Sequence, residues 1–424
     1  MNLKPFLQLT KMAFLLYHMK NICWRVNMAY IKEALETKIT HSFDVVVAGG
    51  GIAGIAAALS SAREGKSTVL IEPSYILGGL ATSGLVTIYL PLCDGEGHQV
   101  SFGICEELIR LSVKHGYEKE DAPEWFGEGT IEERKKHRFR AQFNPHLFAL
   151  EAERLLLEEG VTIFYGTKVC GVGIDSDVLN GVITENKSGR SFIECKAAVD
   201  ATGDADLFDY AGDKTVLYEK QNVLAAWYYY VGKDGIQTLN PLGYCESPEH
   251  EGKPTLIKRR FTGIDGFDNS EMVQLAHQQM LNDIIKRREE DSKLYPSNIP
   301  SIPQLRMTRM VDGEYKLDIE DKHKHFESSV GMISDWRYRG PVYEVPFEAL
   351  YTKKLKNVFA AGRCISVTQK MWDASRVIPP CAVTGEAAGI ACAVYADKGE
   401  VSYKDIQKVL VERKVPLFEK EIGL

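Results

Sequence analysis

Apolar positions in this chain come in short blocks, and their period changes along its length. Val45–Val47 form an apolar block that reads as a buried strand, and Gly49-Gly50-Gly51-Ile52-Ala53-Gly54 follows it. From Ile52 to Glu64 small residues dominate, closed by Gly65, which predicts a helix. Thr68–Ile71 reads as a second buried strand, ending on Glu72. Together they make a strand–helix–strand unit of about thirty residues. Later, "PHLFALEAERLLLEEG" predicts an amphipathic helix ending at Gly160, followed by the β-rich "VTIFYGTKVCGVGID". "GVITENKSGRSFIECKAAVDATGDAD" predicts a hairpin turning at Ser188-Gly189, then a buried strand Ala197–Ala201 that ends on Gly203.

From about Leu207 to Val345 the pattern becomes aromatic and mixed. It holds a strand-like "AAWYYYVG", a polar helix over Glu271–Asp291 and the proline-rich "YPSNIPSIPQ". After it, Val358–Ala361 reads as another buried strand, and a small-residue helix runs from about Ala382. The expected organisation is an arm over residues 1–40 and an α/β dinucleotide-binding domain whose first part is 41–206, with a lid-like excursion over 85–143. An inserted α+β substrate or cap domain follows at 207–345, the second part of the first domain at 346–400, and a tail helix at 401–424.

Composition narrows the function classes. The 424 residues are 45% apolar and 26% charged, with a formal charge of -7, which is ordinary for a folded chain with a sizeable core. Lys258-Arg259-Arg260 and Arg134-Lys135-Lys136 are too short to make a nucleic-acid groove and read as solvated faces. No apolar run approaches the roughly 18 residues of a membrane span. None of the nine cysteines forms a C-x-x-C pair, which argues against a zinc ribbon or iron–sulfur ligand runs, so no metal site is expected. Their odd number suits a reducing, cytoplasmic compartment. Residues 1–27 are basic with a short apolar patch, Met12–Tyr17, so a cleaved targeting peptide and export stay open beside a disordered arm or a working start at Met28. Nothing in the pattern sets an oligomeric state.

The glycines carry the chemistry. In a G-x-G-x-x-G between strand and helix, Gly49 allows the tight turn. Gly51 lets backbone approach a pyrophosphate at the helix N-terminus, and Gly54 lets helix and strand pack closely. Glu72, eighteen residues beyond Gly54, stands where a carboxylate accepts hydrogen bonds from a ribose diol and repels a 2′-phosphate. After Glu72, "PSYILGGLATSGL" sets Gly78-Gly79 and small residues where a flat ring can lie on the backbone, which favours FAD over NAD. Gly203 lets the chain pass the adenosine half. Gly362-Arg363 ends a buried strand at the edge where such sheets bind ligands. Pro379-Pro380 fixes extended geometry and suits a helix start, and Gly385 and Gly389 let something pack against the helix behind them. The positive end of that helix stabilises charge on a reduced flavin.

The segments "VVVAGGGIAGIAAAL", "IEP", "GGLATSGL", "VDATGDADL", "RMTRMVDGEY" and "NVFAAGRCISVTQKMWDASRVIPPCAVTGEAAG" resemble the FAD-dependent oxidoreductase family within the glutathione-reductase-like flavoproteins, over about Phe43 to Gly399. The resemblance implies a Rossmann-like FAD-binding domain of the glutathione-reductase type. It carries cofactor contacts onto Gly49, Gly51, Gly54, Glu72, Gly79, Val169, Gly203, Gly362, Arg363 and Gly385, with the backbone near Val169 meeting the adenine.

Substrate chemistry has thinner candidates. His98, in the polar "CDGEGHQ", can serve as acid or base or sit in a surface loop. Arg376 can orient a carboxylate substrate, balance flavin charge or pair with Asp373. Cys381 stands near a helix N-terminus, a place that lowers a thiol's pKa, and a packing role is its plainer reading. Arg306 and Arg309 read as anion contacts or salt bridges; His323 and His325 sit in a charged stretch. The expected function is hydride transfer between a small-molecule substrate and flavin N5. The alternative is a flavin-binding electron-transfer component or sensor without its own turnover.

Overall fold

Strand β1 (Lys38–Ala48) is solvated in its first half and wholly buried over Val45–Ala48, where the apolar block was read. Gly51 caps helix α1 (Ile52–Arg63), and strand β2 (Thr68–Ile71) lies parallel to β1, pairing Val45 with Thr68 and Ala48 with Ile71. Ten consecutive residues of α1, Ile52–Ser61, are buried. A helix enclosed on all sides needs side chains small enough for close neighbours, hence its run of Ala, Gly and Ser.

The computed structural model describes residues 32–90, 92–115, 123–126, 129–136, 140–243 and 253–424. Met28, Cys23, the Met12–Tyr17 patch, Cys245 and parts of the 85–143 excursion lie outside them. Residues 38–424 form one compact unit.

Helix α2 (Ile104–Ser112) lies inside the excursion; helix α3 (Pro145–Glu158) starts at a proline behind the capping side chain of Asn144. Strand β3 (Thr162–Phe164) extends the parallel sheet beyond β2. Strands β4 (Lys168–Asp175), β5 (Val178–Asn186) and β6 (Gly189–Asp200) form an antiparallel meander. The hairpin turns where Asn186 faces Gly189. The strand expected at Ala197–Ala201 is instead the buried end of the twelve-residue β6, whose other edge pairs with β1 along its whole length.

In the 207–345 stretch, strand β7 (Tyr228–Val231) is flanked by Gln237–Asn240 and Tyr295–Asn298. Helix α4 (Gly266–Glu290) begins five residues earlier than the polar pattern suggested, because Asp265 caps it. Its buried stripe of Met272, Ala276, Met280 and Ile284, one residue per turn, joins Leu224, Tyr228 and Phe261 in a second core. Strands β8 (Ser329–Ser334) and β9 (Val342–Pro346) form a hairpin whose tip is Asp335–Pro341.

Strand β10 (Val358–Ala360) returns to β6, Val358 beside Ala198 and Ala360 beside Asp200. It takes the edge that β5 leaves beyond Glu194, so two strands share one side of β6. The result is an α/β fold on a mostly parallel sheet, β3-β2-β1-β6 with β10, from which the meander extends. Helix α5 (Ile378–Lys398) starts before the two prolines. They occupy its first turn, where an amide N–H has no partner to lose. By length and composition α5 could cross a membrane, which corrects the expectation that no such run exists. In the structure 89% of its apolar window is buried among protein. Helix α6 (Tyr403–Glu412) ends well before Leu424, and a single 3-10 turn, Glu419–Glu421, follows it. Buried Glu386 of α5 ties the set together. It accepts from Ile104 N at 2.8 Å and pairs with Arg413 at 3.1 Å, and Arg413 also pairs with Glu64.

Candidate functional site

The carboxyl ends of β1, β2, β6 and β10 meet at one edge, where the early and late glycines come together. Gly49 has φ +102°, and a Cβ on it would stand 2.4 Å from the Ala201 carbonyl oxygen. A Cβ on Gly54 would stand 1.8 Å from the Gly49 oxygen, so both positions exclude any side chain. Gly51 is different: a Cβ there would meet nothing within 4 Å. The space in front of the α1 N-terminus is open, and that terminus presents backbone N–H groups. The second loop closes against the first. Gly78 N donates to Gly50 O at 2.8 Å, and a Cβ on Gly79 would lie 3.2 Å from the Gly51 Cα.

Glu72 holds this loop from below. Buried, it accepts from Gly50 N through Oε2 and from Ser74 N through Oε1, both at 2.8 Å. Each carboxylate oxygen has a second lone pair, so the pair of bonds leaves acceptor capacity on both. Thr167 N donates to Glu72 O at 3.1 Å, which brings Val169, two residues on in β4, to the same edge. Ser83, in the small-residue loop after Gly79, is buried and its hydroxyl has no protein partner.

Gly203 (φ +78°) leaves no room for a side chain, since a Cβ would lie 2.6 Å from Arg363 Nε. Arg363 spends its guanidinium on protein. Nε donates to Gly203 O at 2.6 Å, Nη1 to Leu305 O at 3.1 Å, and Nη2 pairs with Asp204 at 2.8 Å. It therefore clamps the Gly203 turn to the strand end, each guanidinium nitrogen engaging a protein group. Gly362 (φ +78°) donates its N–H to Thr384 Oγ1, and a Cβ would stand 2.8 Å from Ala53 Cβ at the start of α1. Gly385 is likewise a helix-packing residue. A Cβ would lie 2.3 Å from Ala53 O, and one on Gly389 2.2 Å from Ala57 O. The close neighbour of Gly385 and Gly389 in the structure is α1, on the side where a Cβ would stand.

Arg376 pairs with Asp373 one turn before it, both about nine-tenths buried. Cys381 Sγ lies 3.3 Å from the Arg376 carbonyl oxygen. The helix start does not activate this thiol, because burial pushes it up to about 12, against the neighbouring Arg363 and Arg376 charges. His98 is not a plain surface histidine. Its Nδ1 lies 2.8 Å from Asp94 Oδ2, and Asp94, 2% exposed, also accepts from Glu96 N and His98 N. Sequence reading missed Asp94, although its D-x-x-x-H spacing was visible. Gly340 N in the β8–β9 tip donates to Asp94 O at 2.8 Å, and Trp336 Nε1 in the same tip to Asp373 O at 2.9 Å. The tip thus connects the His98 loop to the Asp373–Arg376 turn. Arg306 is buried with its guanidinium over Trp227, 5.2 Å from the ring centre. Arg309 is bound by Asp206 and Asp209, and His323 and His325 face Glu419 and Glu344. Among the described residues no cluster of three or more His, Cys, Asp or Glu is placed to hold a metal ion.

The family model for FAD dependent oxidoreductases matches residues 44–224 and 258–410. A tryptophan 2-halogenase of Chondromyces crocatus is 28% identical over 209 residues, which are 46% of this chain and 37% of that protein. A thioredoxin reductase of Ureaplasma parvum is 30% identical over 79 residues, 19% of this chain and 26% of that protein. The chain therefore spans well under half the length of these curated relatives. Among solved structures, a geranylgeranyl bacteriochlorophyll reductase-like protein from Thermoplasma acidophilum aligns over 88% of this chain and 84% of its own, with 14% identity and a TM-score of 0.47. A p-nitrophenol 4-monooxygenase from Pseudomonas putida covers 88% and 85%, with 12% identity and a TM-score of 0.46.

Proposed function

The chain belongs to the FAD dependent oxidoreductase family, an enzyme family, and on that footing we propose that it oxidises a small molecule by passing a hydride to its flavin. The observation that carries this reading is the open approach to Gly51, at a helix N-terminus against which the second glycine loop closes; Ser83, farther along that loop, keeps a buried hydroxyl with no protein partner. A phosphate-bearing, extended ligand fits a glycine approach of this kind at a helix N-terminus.

In this reading the α1 N-terminus and Gly51 hold the pyrophosphate, Glu72 the ribose, and the backbone by Val169 the adenine. The Gly78–Leu85 loop and the first turn of α5 bound the flavin, as in a glutathione-reductase-type domain. FAD supplies two-electron redox chemistry when bound. The protein's own part is to fix the cofactor, to set the positive end of α5 toward the ring and to exclude water. Gly49, Gly54, Gly203, Gly362 and Gly385 support the site by letting its walls close on one another. His98, oriented by Asp94, is available as a proton acceptor at Nε2.

The experiment is an anaerobic titration of FAD-loaded protein with candidate substrates while flavin absorbance is followed. Bleaching by a small molecule without any nicotinamide is the expected result. Bleaching only by a nicotinamide or by a partner protein would replace hydride abstraction with an oxygenase-type or electron-transfer role.

A further inference from the structure

The carboxylate of Asp373 is satisfied on one side only. Oδ1 pairs with Arg376, while Oδ2 is buried and accepts no hydrogen bond. Its place is fixed from three directions. Trp372 Nε1 donates to Arg363 O at 2.6 Å, pinning the turn to the end of β10. The Arg376 carbonyl lies beside Cys381, whose Sγ would be 3.4 Å from a Cβ on Gly362. Trp336 reaches over from the β8–β9 tip to the Asp373 carbonyl. The orphan oxygen therefore sits in the turn just before α5, beside the segment that follows β10.

An ion-paired carboxylate can only accept, so its missing partner is a donor. Arg337 is not that partner. It forks onto Asp335 through Nε and Nη2, at 2.9 and 2.7 Å, and gives Nη1 to Lys370 O. Burial opposes the Arg337 charge, but Asp335 outweighs it and Asp373 adds to the effect, leaving this guanidinium above its ordinary value.

We propose that Asp373 is the substrate-binding acid of the flavin site, its Oδ2 accepting a hydrogen bond from a hydroxyl or protonated amine of the substrate while Arg376 holds the carboxylate in place. The substrate class is then an alcohol or an amine. This assignment rests on the oxidoreductase reading above, and it makes Arg376 a positioning residue.

The first test needs no variant: a crystal structure of the FAD-loaded protein. Asp373 Oδ2 facing the flavin with only solvent on it supports the proposal; an FAD atom or a protein donor on Oδ2 overturns it. The second is Asp373→Asn, read by FAD affinity. A change under twofold is expected, and a tenfold loss assigns the acid to the cofactor and overturns the proposal. The third compares reduction rates with whatever compound bleaches the wild-type flavin. A hydroxyl or amine substrate that reduces Asp373→Asn at least a hundredfold more slowly, at unchanged FAD affinity, supports the proposal. A reducing substrate with no such donor overturns it. Wild-type protein that takes up no FAD overturns the oxidoreductase reading itself, an outcome distinct from each of these.

Discussion

Single glycines in this protein do two different jobs, and the space around each tells them apart. Gly51 has ordinary φ (-71°) and an empty approach, whereas a Cβ on Gly54 would run into the Gly49 carbonyl. Gly51→Ala is expected to leave unfolding stability within about 0.5 kcal/mol and to weaken FAD binding at least tenfold. Gly54→Ala should cost about 1–3 kcal/mol or more, since helix and strand must part. Urea unfolding and fluorescence titration of FAD, run on both variants, separate the two. The thiol of Cys381 is pushed up to about 12 by desolvation, so at pH 8 iodoacetamide should modify it far more slowly in the folded protein than in the unfolded chain. At this scale the sequence was informative where spacing is local. Glu72 and the G-x-G-x-x-G lie within one unit, and their relation is written in consecutive residues. The protein contacts of Arg363 were not legible, because its partners Gly203, Asp204 and Leu305 are far away in the chain.

Among elements, the crossing of α1 and α5 decides how the two walls of the site meet. Gly385 and Gly389 set the helices at backbone contact, and Ser60 Oγ crosses to Glu386 O at 2.9 Å over 326 positions of sequence. Gly389→Ala would place a methyl 2.2 Å from Ala57 O and 2.1 Å from Ser60 Oγ. It should lower stability by about 1–3 kcal/mol, and, by spreading the walls, weaken FAD binding too, unlike Gly51→Ala, which acts on binding alone. A chemical-denaturation midpoint beside an FAD titration checks the pairing of effects. The strands and helices themselves were readable from period and punctuation: Thr68–Ile71 appears as expected, and Asn186 faces Gly189 at the expected hairpin. The helix start at Ile378 was misplaced because two prolines read as a boundary, although the first turn accommodates them. The partner of Gly385 was hidden for a deeper reason. A small-residue helix announces a close neighbour without saying whether it is a ligand or another helix.

For the molecule as a whole, buried and surface acids give opposite pH dependences. Burial, with Asp206 adding, raises Asp200 from 3.8 to about 7. Folding therefore favours its protonated form, and its contribution is fully present below pH 3.8 and lost as pH rises through about 7. Asp44 and Asp405 run the other way. Lys196 and Lys398 hold them at about 2, so their support is present above pH 3.8 and fades as pH falls through about 2. Asp200→Asn forfeits the Leu207 N–H bond but also the neutral-pH penalty. The variant should be less stable than wild type at pH 4, with the gap closing toward pH 7 by up to about 1.4 kcal/mol per pH unit; urea midpoints across that range check it. The parallel core was legible because its strands are apolar blocks, whereas the sharing of one β6 edge by β5 and β10 was not, since no local pattern marks which strand returns. That shared edge shapes how the chain is made. While the ribosome is still extending the chain, Ala198–Asp200 stand with open backbone groups on that side, and their partner Val358–Ala360 emerges some 160 residues later. At about 5–20 residues per second, the nascent sheet spends many seconds with a sticky apolar border, so the last strand acts as a closing latch, and a chain truncated before it should aggregate during synthesis.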